Sequence, residues 1–212
     1  MIDRAITDHI MRRLFKGRVI TLMGARRVGK TTLVKTLLAK FPDLRTRYLN
    51  CDLQSVQQPL SIQEAEALKA YLGDYQLVVL DEAQNIPEVG RVLKILVDTY
   101  PEMQIIATGS SAFDLANKTG APLTGRVYPF ELYPLSLAEI AGSAGYSVIE
   151  PQLEQLLRFG SYPSILNVGE DEARDQLDEL VSNYLYKDVL MYLGVKKSSI
   201  ISGLLRLLAL QV

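Results

Sequence analysis

Nine residues, Gly24 to Thr32, constrain the fold more than any other stretch of the chain: GARRVGKTT. They match the pattern GxxxxGK[S/T], in which backbone N–H groups wrap around a phosphate and glycine stands where a side chain would block that turn. The β-branched run 18–23 before the loop predicts a strand, and residues 32–38 after it predict a helix. Because both flanks are present, we favour a nucleoside triphosphate site over a glycine-rich turn that binds nothing.

The side chains of this loop have distinct expected roles. We expect the Lys30 ammonium to contact the β and γ oxygens and the Thr31 hydroxyl to hold Mg²⁺ at a helix N-terminus, which itself favours an anion. Arg26 and Arg27 leave two alternatives open, since one faces the phosphates or both are solvated. The candidate nucleotide-binding residues are Gly24, Ala25, Arg26, Arg27, Val28, Gly29, Lys30, Thr31 and Thr32.

A second chemical signal follows the unbroken apolar run 77–80. Such a run is typical of a strand buried on both faces of a parallel sheet, and α/β sheets bind their ligands at the carboxyl ends of strands. The next two residues are Asp81 and Glu82. We predict that Asp81 holds the metal and that Glu82 acts as general base on the attacking water. The alternative is an acidic pair that only caps a helix.

Residues 103–107 predict another buried strand, which leads to hydroxyl side chains at 108 and 110. We expect Thr108 or Ser110 to sense the γ-phosphate or to position the water. A competing and compatible interpretation is that Ser110 or Ser111 caps the following helical turn.

Arg126 precedes a fifth predicted strand, residues 127–132. An arginine in this place can stabilise transition-state charge at a γ-phosphate, in its own subunit or in a neighbour's. It can equally form a structural ion pair with an acidic partner such as Glu131 or Asp114. The sequence leaves these alternatives open.

The remaining periodic stretches complete a predicted alternation of strands and helices. We expect residues 1–17 to form an amphipathic helix that Gly17 ends, and residues 46–51 to form the second strand. A capping box from Ser61 and Glu64 predicts a helix over 61–72. Further helices are predicted over 89–100, 135–140, 152–159, 172–186 and 198–210.

Composition is that of a globular chain, with 48% hydrophobic and 22% charged residues among 212. The single cysteine, Cys51, excludes a disulfide within the chain and fits a reducing compartment. We find no signal-peptide pattern at the N-terminus and no apolar run of membrane-spanning length. The expected location is the cytoplasm.

Charge is unevenly distributed along the chain. Residues 1–47 carry 12 Lys and Arg against 3 Asp and Glu, whereas residues 48–212 carry 11 against 21, so the two parts are +9 and −10. The basic excess outside the loop either touches DNA or forms a solvated face, which we favour because interleaved aromatic residues are lacking there. It includes Arg4, Arg12, Arg13, Lys16 and Arg18. The lone histidine, His9, has no second ligand at metal-binding spacing.

Five motifs in order give a specific resemblance: GARRVGKTTL, LDEAQ, ATGSSAFDL, LTGRVYPFELYPLS and FGSYPSIL. Over essentially the whole chain they resemble a prokaryotic family of AAA-type P-loop ATPases, in which an AAA+-like core precedes a C-terminal domain of unknown function. The resemblance implies an α/β P-loop NTPase fold of the AAA+/ASCE kind, with a parallel sheet in the order 5-1-4-3-2 and a small C-terminal helical lid. It also implies ATP, and residues 117–120 depart from the guanine-reading motif at its aspartate.

We therefore expect three parts: an ATPase core with an N-terminal helix at 1–133, a helical lid at 134–195, and the start of a further, truncated domain at 196–212. The first hypothesis is Mg²⁺-dependent ATP hydrolysis coupled to conformational change. The second is a nucleotide-controlled switch that binds protein or DNA with little turnover. A small-molecule kinase is less supported, because no second substrate pocket is evident. Expected partners are a protein or a C-terminal domain, DNA, or further copies of the chain.

Overall fold

The computed structural model describes residues 2–109, 123–166 and 168–182, with the short pieces 203–204, 207–208 and 210. Within them, five strands form one sheet: β1 Val19–Met23, β2 Thr46–Asn50, β3 Leu77–Asp81, β4 Gln104–Gly109 and β5 Val127–Glu131. All pair in parallel, in the order β2-β3-β4-β1-β5. This is the predicted order 5-1-4-3-2 read from the opposite edge, so the fold-class prediction is confirmed.

Burial follows the position of each strand in the sheet. Residues of β1, β3 and β4 are buried throughout, because these strands lie in the interior with neighbours on both sides. The edge strands β2 and β5 are mostly half-exposed. Pro129 lies in β5, which fits an edge strand because proline has no N–H to donate to a second neighbour.

Helices connect β1 to β2, β2 to β3 and β3 to β4, as parallel pairing requires. The N-terminal unit contains α1 Ile6–Met11, α2 Lys30–Ala39, α3 Gln54–Leu60, α4 Ala65–Leu72, α5 Val89–Thr99 and α6 Leu137–Ala144. Side chains of α3, α4 and α5 bury a continuous apolar cluster against the sheet, including Leu60, Leu68, Leu93 and the strand residues Leu80 and Ile105.

Two helix predictions near the N-terminus are wrong in their bounds. The first helix ends at Met11 rather than at 17, and Phe15 and Gly17 turn the chain with φ of 57° and 66°. The helix predicted from Ser61 begins at Ala65. Ser61 instead ends α3, a helix that sequence patterning missed.

The predicted capping box at 61–64 is also wrong. Glu64 is itself the extended residue before α4, so its side chain cannot serve as the third residue of a helix begun by Ser61. A complete capping box occurs at α6 instead, where Ser136 and Glu139 exchange hydrogen bonds.

The chain divides into two compact units, Met1–Glu150 and Pro151–Val212. Helices α7 Ile149–Phe159 and α8 Glu170–Leu180 account for most of the described part of the second unit. Phe159, Ile165 and Ala173 form its buried cluster, and Arg158 bonds Glu170 at 2.9 Å.

The helix predicted over 172–186 begins earlier in the structure, at Glu170, while the one predicted over 198–210 lies largely outside the described residues. No helix among the residues described is long and apolar enough to span a membrane.

Candidate phosphate-binding site

The glycine-rich loop joins β1 to α2 at the carboxyl edge of the sheet. Gly24 has φ 153°, and a Cβ placed there would lie 2.2 Å from the Leu132 carbonyl oxygen. Gly29 has φ 99° and is the residue before α2, while Arg27 has φ 63°. Gly24 is therefore required by the close approach of the chain after β5, which sequence reasoning did not anticipate.

Lys30 is folded over this loop. Its Nζ donates hydrogen bonds to the carbonyl oxygens of Gly24 at 2.9 Å and Ala25 at 3.0 Å, and the residue is only 4% exposed. Val28 is buried, whereas Ala25 and Thr32 are exposed and Arg26 and Arg27 are both half-buried. The predicted loop residues thus lie together at one edge of the sheet.

Three hydroxyl groups converge on the Asp81 carboxylate. Thr31 Oγ1 donates to Asp81 Oδ2 at 2.7 Å, and the Tyr48 hydroxyl donates to the same oxygen at 2.5 Å. Thr108 Oγ1 donates to Asp81 Oδ1. Because Asp81 is 3% exposed, these bonds replace the water that its charge loses on burial.

Tyr48 is a residue that sequence reasoning missed. It lies on β2, opposite Val79 of β3, and the Lys35 ammonium lies 5.1 Å from its ring centre. Burial first, and then the hydrogen bond to Asp81, raise the pKa of Tyr48, so its hydroxyl remains a donor. The only sequence signal was a tyrosine in a strand, which became meaningful once β2 was known to adjoin β3.

Glu82 occupies the turn directly after β3. Its φ is 56°, in the left-handed region, and its backbone N–H donates to Thr108 Oγ1 at 3.0 Å. Its carboxylate accepts a hydrogen bond from Gln84 Nε2 at 2.5 Å. A left-handed non-glycine residue costs free energy and often marks a functional position. Thr108 therefore holds the turn that directs Glu82, whereas Ser110 lies outside the described residues.

Arg126 lies at the amino ends of the strands, whereas the phosphate loop of its own chain lies at their carboxyl ends. It precedes β5, whose first residue pairs with Val19 at the start of β1, about 16 Å from the loop at ~3.3 Å per residue. Its Nε donates to Asp98 Oδ1 at 2.6 Å, which lowers the pKa of that carboxyl. This distance argues against action within its own subunit, and a role of Arg126 at a γ-phosphate, in either subunit, stays a prediction. The ion-pair partner is Asp98 rather than Glu131, while Asp114 lies outside the described residues.

The oxygen atoms around Thr31 and Asp81 fit Mg²⁺. No group of three or more His, Cys, Asp or Glu that could hold a metal occurs in the described part of the chain. Mg²⁺ typically takes one or two protein oxygens and completes its shell with water and phosphate. A buried carboxylate beside a hydroxyl, at the mouth of a phosphate loop, provides that donor set.

Comparison with known proteins assigns the two parts of the chain separately. Residues 16–141 match the model of an AAA domain, and residues 150–212 match a domain of unknown function, DUF8612. The second match begins where the chain divides into its two compact units. The expected succession of an AAA core and a C-terminal domain of unknown function is confirmed, while the boundaries predicted at 133 and 195 stay predictions.

Relatives with these sequences are longer proteins. An uncharacterized protein of Mycobacterium tuberculosis is 29% identical over 195 residues, covering 91% of this chain and 41% of the relative. One of Methanocaldococcus jannaschii is 27% identical over 214 residues, covering 82% and 44%. The chain thus spans about two fifths of these relatives. AMPPCP-bound DnaA from Aquifex aeolicus aligns with a TM-score of 0.46 and 16% identity, over 89% of this chain and 66% of that one.

Proposed function

The chain belongs to the AAA domain family, and from that membership and the loop geometry we propose that it binds ATP with Mg²⁺ and hydrolyses it, coupling hydrolysis to a conformational change. One observation carries the proposal. The Thr31 hydroxyl, at the start of α2, lies 2.7 Å from the buried Asp81 carboxylate at the end of β3. The phosphate loop and the acidic strand therefore meet at one place.

The proposed binding step uses the loop backbone and two side chains. Backbone N–H groups and the positive end of α2 bind the phosphate oxygens. The Lys30 ammonium exchanges its two carbonyl acceptors for the β and γ oxygens. Thr31 and Asp81 would hold Mg²⁺, which when bound neutralises charge on the transferring phosphoryl group.

The proposed hydrolytic step assigns the proton transfer to Glu82. Its carboxylate accepts a proton from water as the water oxygen bonds to the γ-phosphorus and the bond to the bridging oxygen breaks. The left-handed turn, held by Thr108, gives the side chain a defined direction at the carboxyl edge of the sheet. Glu82 Oε2 accepts a hydrogen bond from Gln84, and proton transfer to that oxygen would have to displace this bond.

That same bond favours a second candidate, a nucleotide-controlled switch with little turnover. A carboxylate whose Oε2 is already engaged by Gln84 has one oxygen fewer with which to position the attacking water. A DNA-binding role for the basic residues has less support, because the Arg13 and Arg18 guanidinium groups each lie 4.9 Å from the Tyr128 ring centre of their own chain. Experiment must then test whether the switch binds a protein partner, DNA or a second copy of the chain.

The deciding experiment measures phosphate release with Mg·ATP, and binding of a fluorescent ATP analogue, for the wild-type chain, Lys30→Ala and Glu82→Gln. We expect Lys30→Ala to lose binding. Glu82→Gln should keep binding and lose turnover by about 10²-fold or more. Wild-type turnover in Glu82→Gln would overturn the base assignment. Binding without turnover, followed by ATP-dependent partner capture in Glu82→Gln, would establish the switch instead.

A further inference from the structure

Arg4 joins three segments that are distant in sequence. Its Nη1 donates to the Val28 carbonyl at 2.8 Å, its Nη2 to the Tyr133 carbonyl at 2.5 Å, and its Nε to Glu139 Oε1 at 3.1 Å. The Arg4 and Glu139 side chains are each only 9% exposed. The sequence had grouped Arg4 with a solvated or DNA-contacting basic face, and the structure instead places it in a largely buried ion pair.

The contact with Val28 reaches the phosphate loop itself. Val28 is the residue before Gly29, and its side chain is fully buried. In a trans peptide the carbonyl of one residue and the N–H of the next point in opposite directions, and the described backbone has no cis peptide bond. A guanidinium that holds the Val28 carbonyl therefore also sets the direction of the Gly29 N–H.

Glu139 fixes the other side of this arrangement. Its Oε1 also accepts the Ala5 backbone N–H at 2.8 Å, while its Oε2 accepts the Ser136 N–H at 2.9 Å in the capping box of α6. Burial by itself would raise the pKa of Glu139, but these N–H donors and Arg4 outweigh it and the pKa is lowered. Glu139 is thus a charged acceptor that ties residues 4–5 to α6.

We propose that Arg4 is a positioning residue for the phosphate loop: it holds the Val28 carbonyl so that the Gly29 amide is directed at the nucleotide. This rests on the proposed binding of ATP by that loop. Arginine suits the task because its planar fork can satisfy three acceptors at once, which a lysine ammonium on a flexible stem does less well. The orientation of the loop then depends on the N-terminal segment and on the first turn of α6.

The test compares Arg4→Ala, Arg4→Lys and Glu139→Gln with a matched control, Arg45→Ala. The control removes another ion pair, to Asp74, whose two side chains are 63% and 77% exposed. Two quantities are measured for each folded variant: the Kd for Mg·ATP, and hydrogen exchange of the loop amides 25–31 without nucleotide. Amides of β3 and β4 report whether the fold as a whole has loosened.

We expect Arg4→Ala to raise the Kd about tenfold or more, equivalent to about 1.4 kcal/mol. Loop amides should exchange faster, with β3 and β4 unchanged. Arg4→Lys should recover part of the affinity, Glu139→Gln should shift both readouts in the same direction as Arg4→Ala, and Arg45→Ala should change neither. If Arg4→Ala does not fold, Arg4→Lys and Glu139→Gln carry the same comparison.

Two results would overturn the proposal by itself. One is wild-type affinity and loop exchange in a folded Arg4→Ala or Glu139→Gln chain, and the other is a uniform rise in exchange across the loop, β3 and β4. A wild-type chain that binds no Mg·ATP would instead overturn the proposed function, and the positioning role with it. The two failures are therefore distinguishable.

Discussion

Replacing Gly24 with alanine should destabilise the chain far more than replacing another left-handed glycine. The added Cβ would lie 2.2 Å from the Leu132 carbonyl oxygen, where ordinary contacts begin above 3.4 Å. That oxygen cannot move easily, because the Leu132 N–H donates to the Met23 carbonyl at 2.7 Å. Overpacking of about 1–3 kcal/mol adds to about 1 kcal/mol of backbone strain. We expect a loss of about 2–4 kcal/mol.

Two further glycines make this number testable. Gly125 has φ 76°, but a Cβ there meets nothing within 4 Å, so Gly125→Ala should cost only backbone strain, about 1 kcal/mol. Gly142 lies in α6 with ordinary helical φ and open space around it. Gly142→Ala should therefore stabilise the helix by about 0.5–1 kcal/mol.

The assay is urea unfolding without nucleotide, followed by far-UV circular dichroism. All three glycines lie in the unit Met1–Glu150, so their effects are read on the transition of that unit. The expected order of stability is Gly142→Ala, wild type, Gly125→Ala and then Gly24→Ala. A Gly24→Ala chain within about 0.5 kcal/mol of Gly125→Ala would refute the reasoning from close approach.

Tyr48→Phe removes one of the hydroxyl donors of Asp81 and should raise about tenfold the Mg²⁺ concentration for half-maximal ATP binding. Tyr71→Phe on α4 is the control, and the same Mg²⁺ dependence in Tyr48→Phe as in the wild type would contradict this expectation. Cys51 is fully buried, and burial raises its pKa to about 12, so native chain should resist a thiol reagent at pH 8 until urea unfolds it. The unfolded thiol loses its proton near its ordinary 9.0, so the free energy of unfolding should fall between pH 9 and 12, less so in Cys51→Ala.

Local sequence patterns predicted the strands well, because the property that produces a buried strand, a run of consecutive apolar or β-branched residues, is itself local. The apolar run 77–80 became a strand buried along its whole length, and the β-branched run before Gly24 became β1. Glycine spacing and the acidic residues after β3 likewise identified the chemical groups of the candidate site. The 2.7 Å contact between Thr31 and Asp81 followed from placing both residues at the carboxyl ends of parallel strands.

Helix α3 shows where such patterns fail. Its sequence, QSVQQPL, contains Pro59 and only two buried residues, Val56 and Leu60. Neither helix propensity nor periodicity identifies a segment of this kind, because it is stabilised by burying two side chains against neighbours distant along the chain. The displaced capping box has the same origin, since Ser61 is taken up as the end of α3.

The sequence by itself determined which groups the chain offers: a phosphate loop, a carboxylate pair after a buried strand, and hydroxyls at strand ends. Only the tertiary structure decided which of them meet. Strand order brings Tyr48 to Asp81 and places Arg126 at the amino ends of the strands, beside Asp98. Tertiary folding also brings Arg4 onto Val28 and Glu139. The two residues in each of these contacts are separated by between 24 and 135 positions along the chain. Local periodicity carries no information over such separations.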